Sequence, residues 1–183
     1  VRGRRVVDPQ LAGLATASTP GIALSAVALP DADREGLLEA AAALRRPLPL
    51  PAEFADRGRW DFPLGALALI TGDRGSGKTR VAHALAGAAG AGVLTLDAPA
   101  LATLGPAEGS LALQTALCEA SLHGEWLIID SSDRLFARPD SDSPLPDRTS
   151  EGAVARLLEW VRRLPVTVVI VAESVEALHV RLH

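Results

Sequence analysis

Tyrosine is absent from this chain, and its aromatic side chains are three Phe and three Trp in 183 residues. A surface that stacks nucleic-acid bases needs more than that. The net charge of −4 also removes the basic footprint expected of a nucleic-acid binder. Cys118 is the one cysteine, which excludes an internal disulfide and any cysteine-rich metal site. No hydrophobic run is long enough to span a bilayer, and no signal-peptide pattern is present, so no membrane role is expected and the default compartment is the cytoplasm. Methionine is missing altogether, and the chain stops at Arg181-Leu182-His183 inside an apparent helix. Both features suggest a fragment of a longer protein. What the chain does have is apolar mass: 48% of its residues are hydrophobic, enough for one sizeable core.

The stretch that organises the rest is Gly72-Asp73-Arg74-Gly75-Ser76-Gly77-Lys78-Thr79, which matches G-x-x-x-x-G-K-S/T at every fixed position. An apolar run, Leu67 to Thr71, precedes it as a buried strand. Val81, Leu85 and Ala89 follow at helical spacing. The glycines allow the backbone to curl around phosphates. The loop's N–H groups then point inward at the positive end of the following helix. Lys78 is placed for the β- and γ-phosphates of a nucleotide and Thr79 for Mg²⁺. All eight residues are therefore candidate nucleotide-binding residues.

The chain in order gives the fold. Arg2, Arg4 and Arg5 read as a solvated arm, with contact to a partner as the alternative. Ile22 to Leu29 suits a short strand. Asp31 or Asp33 caps a helix to about Arg46, and Pro47 to Pro51 is a stiff linker. Residues 1–50 thus form an arm, a strand and a helix, and residues 51–183 an α/β core. Val93 to Leu96 is a second core strand ending at Asp97, a cap or turn residue. A loop then runs to Ser110, the expected cap of a helix ending at Gly124. Trp126 to Ile129, ending in Asp130, reads as a strand buried on both faces. Residues 138–149 form a polar loop. Ser150 caps a helix striped by Val154, Leu157, Leu158 and Val161, and Val166 to Val171 is a fourth core strand. Ser174 caps a last helix. Strands alternating with helices predict a parallel sheet between helical layers. The residues at its strand ends, including Asp130 and Ser174, then share one edge, where such sheets bind ligands.

Asp130 stands about 50 residues after the loop, as a Walker B carboxylate does, and is the candidate metal-shell partner of Thr79. Alone, an Asp closing a strand would be a turn residue. Asp130-Ser131-Ser132-Asp133 resembles the Asp-Glu-x-Asp segment of AAA+ ATPases. Thr167 to Ser174 resembles that family's sensor-1 strand, and Glu119 to Gly124 the helix end before Walker B in bacterial members. The likeness covers about residues 25–183. It implies a P-loop NTPase three-layer α/β/α fold with strand order 5-1-4-3-2 in the family's numbering, lacking here the last strand and the lid. It also implies ATP and Mg²⁺ as ligands, homo- or hetero-oligomeric ring neighbours, and a macromolecular client.

The departures from the family define the function expected. Ser131 stands where the family carries the glutamate that polarises the attacking water, and Ser174 or Glu173 stands at the sensor-1 position. A neutral hydroxyl is a poor base, and losing a positioned base costs about 10²–10⁴-fold in rate. The reading is an ATP-binding AAA+ module of a larger protein, with weak hydrolysis or hydrolysis that depends on other residues. Asp130, Glu173 and Ser174 are its candidate catalytic residues. The alternative is an active remodelling ATPase that uses Glu173 or a neighbour's groups. A small-molecule kinase is a third reading, although residues 138–149 hold only Arg138 and Arg148 for a lid. The rest read as structural: Asp133 as a helix-terminal charge, His83 with no partner at metal spacing, His123 beside helix-end carbonyls, Cys118 in the core, and Trp60, Trp126 and Trp160 in packing.

Overall fold

The computed structural model describes residues 5–44, 64–137, 148–176, Leu178 and Leu182, with the backbone alone for 148–151. Its sheet is built on apolar strands: β2 (Ala66–Thr71), β3 (Val93–Asp97), β4 (Trp126–Asp130) and β5 (Thr167–Ala172). Each strand has apolar residues on both faces, which suits a sheet covered on both sides. Leu127, Ile129, Val168 and Ile170 enter one core, while Trp126, Ile128, Val169 and Val171 enter the other. The alternation follows from the two-residue period of a strand.

The first core is closed by α4 (Pro106–His123) and α5 (Arg148–Arg163), through Leu113, Leu117, Val154, Leu157 and Val161. The second is closed by α1 (Asp31–Leu44) and α2 (Lys78–Ala88), through Ala41, Val81, Leu85 and Ala86. Leu127, Ile128 and Ile129 are 0% exposed. Burying side chains of that size stabilises by about 1.5–3 kcal/mol each, which fixes β4 at the centre of three layers.

With β1 at Ala15–Ser18, the strands run β1-β3-β4-β5-β2. The four core strands are parallel, but β1 (Ala15–Ser18) joins antiparallel on β3, so the sheet is mixed rather than parallel throughout. The short strand expected at Ile22 to Leu29 does not form: that stretch holds a single 3-10 turn, Leu24–Ala26, and β1 comes from an earlier segment. The cause lies in the sheet edge. The outer side of β3 offers unpaired N–H and C=O groups, and β1 covers them. Leu11 (0% exposed) and Ala17 (4%) anchor this segment in the core. Arg5 is not a free arm. Its guanidinium pairs with Glu125 at 2.6 Å and with Glu119.

Other expectations shift locally. The loop before Ser110 contains α3 (Ala98–Ala102), capped by Asp97, whose Oδ1 accepts from the Ala100 N–H at 2.9 Å. The next helix starts earlier than Ser110, with Gly105 as its cap and Pro106 in the first turn, where a missing N–H costs nothing. Ser150 lies inside α5, which begins at Arg148. After β5 the described residues make a turn, with Leu178 N–H donating to the Val175 carbonyl, and Ser174 Oγ donates to Glu176. Most of the helix expected there lies outside the described residues. Cys118 is exposed on α4, not in the core. His123 sits 3.7 Å from Glu119, while Gly124, at φ 64°, closes α4 with two backbone bonds. The Pro-rich linker, Phe54, Trp60 and residues 138–147 lie outside the described residues. Among those described, no helix is long and apolar enough to cross a membrane.

Candidate functional site

The loop between β2 and α2 turns on glycine. Gly75 and Gly77 take φ of 82° and 89°, a region that costs a residue with a β-carbon about 1–2 kcal/mol. Gly77 is the cap of α2 and carries no side-chain acceptor there, so no capping side chain takes up the helix's first N–H groups. Lys78 folds back over the loop. Its Nζ donates to the carbonyls of Gly72 at 2.6 Å and Asp73 at 2.8 Å. Ser76 N–H closes on Asp73 O at 3.1 Å. The loop is thus a small ring of backbone around one ammonium.

Thr79, on the first turn of α2, donates its hydroxyl to Asp130 Oδ1 at 3.0 Å across 51 residues of sequence. The same oxygen accepts from the Ser131 N–H at 2.9 Å. Ser131 has φ 55° and is the one non-glycine with positive φ among the described residues. The twist has a visible cause. Asp130 faces the cleft, yet Ser132, two positions on, is buried at 0% exposure. Ser132 N–H donates to Val171 O at 3.0 Å, and Ser132 Oγ lies 2.7 Å from Val171 O and 3.1 Å from Ile129 O. Ser131 must reverse the chain between these two demands.

Asp133 continues the seam between β4 and β5. Its Oδ1 accepts from the Glu173 N–H at 2.7 Å, so it is a strap across two strand ends rather than a helix-terminal charge. Glu173 O in turn accepts from Gly72 N–H at 3.3 Å. The P-loop, the end of β4 and the end of β5 are thereby tied together.

These ends enclose a cleft of about 730 Å³. Lys78, Thr79, Asp130, Ser131, Asp133 and Glu173 all line it. Gly72, Asp73 and Ser76 frame the loop without lining the cleft, and Ser174 also stands outside the lining, turned to Glu176. The volume falls within the about 300–1,000 Å³ usual for small-molecule sites.

The model of the ATPase family associated with various cellular activities (AAA) matches residues 68–183. The chain belongs to the AAA family. It is a nucleotide-binding module of that family, whose members bind ATP and often assemble as oligomers. No curated protein matches the chain.

In this AAA module, Mg²⁺ has a fitting donor pair. Thr79 Oγ1 and Asp130 are hard oxygen donors already in contact. Among the described residues no group of three His, Cys, Asp or Glu is placed to hold a metal ion.

His83 is a neighbour that sequence spacing undervalued. It lies one helical turn beyond Thr79, at i+4, and its Nε2 meets Thr95 Oγ1 at 3.2 Å. Burial holds its pKa below the ordinary 6.5, against a smaller upward pull from Asp130. The i+4 relation to Thr79 was the available signal. The Asp133–Glu173 contact had none, because its partners are 40 residues apart.

Proposed function

We propose that this AAA module binds Mg-ATP through Gly72 to Thr79 and Asp130, and that its own residues hydrolyse ATP weakly. The 3.0 Å contact between Thr79 and Asp130, at the mouth of the P-loop, is the observation that carries this reading. Bound Mg²⁺ supplies charge neutralisation on the β- and γ-phosphate oxygens. Lys78 exchanges its two loop carbonyls for phosphate oxygens, a stronger, charge-assisted pairing. Gly75 and Gly77 let the backbone N–H groups approach the phosphates. Asp130 and Thr79 would hold the metal shell.

Ser131 lines the cleft beside Asp130 where the family's polarising glutamate would stand. Its hydroxyl neither carries charge nor accepts a proton near neutral pH. Binding without rapid turnover would let ATP act as a structural ligand that orders an interface with neighbouring subunits. The module then serves a protein client by holding a state rather than by cycling.

A second reading is an active ATPase with Glu173 as the base. It is favoured by one observation: Glu173 lines the same cleft, and its backbone is held on both sides, by Asp133 and by Gly72. This reading expects turnover that depends on Glu173 and rises with protein concentration as neighbours assemble.

Calorimetric titration with ATP and Mg²⁺ tests the first reading. Saturable binding that is lost in Lys78→Ala is expected. Equal binding in both proteins would remove the P-loop from the nucleotide site.

A further inference from the structure

A second cavity, of about 310 Å³, lies between α3, the start of α4, the segment after β4 and the start of α5, and adjoins the P-loop cleft at Arg134. Its floor is apolar. Leu101 and Leu113 are each 2% exposed and Leu135 is 9% exposed, with Leu104 beside them. Room comes from residues without side chains. A β-carbon built on Gly152 or Gly105 would meet nothing within 4 Å.

The polar part of the lining has one sign. Arg134 and Arg156 both border the cavity, and no carboxylate does so among the described residues. Arg156 on α5 reaches across to α4, where its Nη1 donates to Ser110 Oγ. That bond leaves most of the guanidinium's five donors available. Arg134 is exposed and carries no hydrogen bond or ion pair among the described residues. The N-terminal end of α4 borders the cavity as well, through Gly105 and Pro106, and Gly105 provides no capping side chain. An uncapped helix start adds partial positive charge to the two guanidinium groups. Two arginines and a helix start over an apolar floor, with no acid among the described lining residues, complement one kind of molecule.

We propose that this cavity binds a small amphipathic anion, with its carboxylate, sulfonate or phosphate head on Arg134 and Arg156 and its apolar body on Leu101, Leu104, Leu113 and Leu135. The site lies beside the P-loop cleft, with which it shares Arg134, and needs no nucleotide. Guanidinium groups suit such heads because their planar fork matches two anionic oxygens at once. The apolar floor excludes simple inorganic anions as the preferred ligand, since they would leave it uncovered.

Fluorescence titration of the full chain with anilinonaphthalene sulfonate tests this, with N-phenylnaphthylamine as a neutral analogue of similar shape. Saturable binding at one site is expected, with the neutral analogue about tenfold weaker or worse. Arg156→Glu, on an exposed position, should abolish sulfonate binding and spare the neutral probe. Gly152→Leu should block both, because its side chain grows into open space and leucine favours a helix. Each variant's melting curve checks that it is folded. Sulfonate binding that survives Arg156→Glu, or that is matched by the neutral analogue, overturns the anion site. Absence of saturable binding to the wild-type chain overturns the cavity as a site altogether.

Discussion

Replacing Ser131 by glutamate should turn a nucleotide holder into a measurable hydrolase. Ser131 is exposed, lines the cleft and follows the carboxylate that meets Thr79. Its φ of 55° already carries the strain of a β-carbon in the left-handed region, about 1–2 kcal/mol. Glutamate has the same β-carbon, so the exchange adds little backbone cost. A second carboxylate beside Asp130 repels it by about 1 kcal/mol in a solvent-facing setting. The melting temperature should therefore fall by no more than about 4 °C. The gain in rate should be far larger. A positioned base contributes about 10²–10⁴-fold, equivalent to about 3–5 kcal/mol off the barrier. The assay is steady-state phosphate release at saturating Mg-ATP, over a range of protein concentrations, with Ser131→Gln as the neutral control of equal length. Ser131→Glu should exceed both wild type and Ser131→Gln by at least about tenfold. A wild-type chain that already turns over as fast as Ser131→Glu, with ATP bound equally well, would refute the argument that the missing base limits this site.

The further outcomes concern stability. Gly65→Ala should cost at least about 3 kcal/mol, read as a lower urea midpoint, because its β-carbon would sit 2.4 Å from Val166 O, 2.7 Å from Leu164 O and 2.8 Å from Val161 O. Gly152→Ala, in open space, should leave the midpoint unchanged or raise it. Arg5→Ala removes a fork onto Glu125 and Glu119, whose side chains are 12% and 18% exposed, and should lower stability by about 2 kcal/mol, or about 4–8 °C. Arg5→Lys should recover only part, since an ammonium cannot span both carboxylates. An unchanged melting point in Arg5→Ala would detach the N-terminal segment from the stability of the sheet. His83 has a folded pKa below 6.5, so above that pH it is neutral in both states and contributes no pH dependence. As pH falls below 6.5 the unfolded chain takes up the proton first, and stability is lost until the folded pKa is passed. His83→Gln should flatten the melting-temperature profile on the acid side of 6.5. Parallel profiles for the two proteins would remove His83 as the cause.

The elements legible in the sequence are those that depend on neighbours along the chain. Leu67 to Thr71, Gly72 to Thr79 and Val81 to Ala89 give strand, loop and helix from local pattern alone, because glycine freedom and apolar period act over a few residues. The same holds for β4, β5 and the stop at Gly124. Helix starts were harder. Ser110 and Ser150 carry good capping chemistry, but Gly105-Pro106 and the packing of α5 begin those helices earlier. β1 is not legible in sequence because its four residues, Ala-Thr-Ala-Ser, carry almost no strand signal of their own. They become a strand through the open edge of β3 and the anchors at Leu11 and Arg5.

The sequence by itself determined that a glycine-rich loop sits between an apolar strand and a helix, and that Ser131 follows Asp130 at the end of another strand. The strand before the loop is half-buried rather than buried, because β2 is an edge strand. Tertiary structure decided which strand ends meet. β5 lies between β4 and the P-loop strand. That order ties Asp133 to Glu173 and Glu173 to Gly72, and turns Ser132 into the core with Ser131 twisted beside it. Strand order follows from which faces the connecting helices can bury, a property of the whole chain that no local window of residues contains.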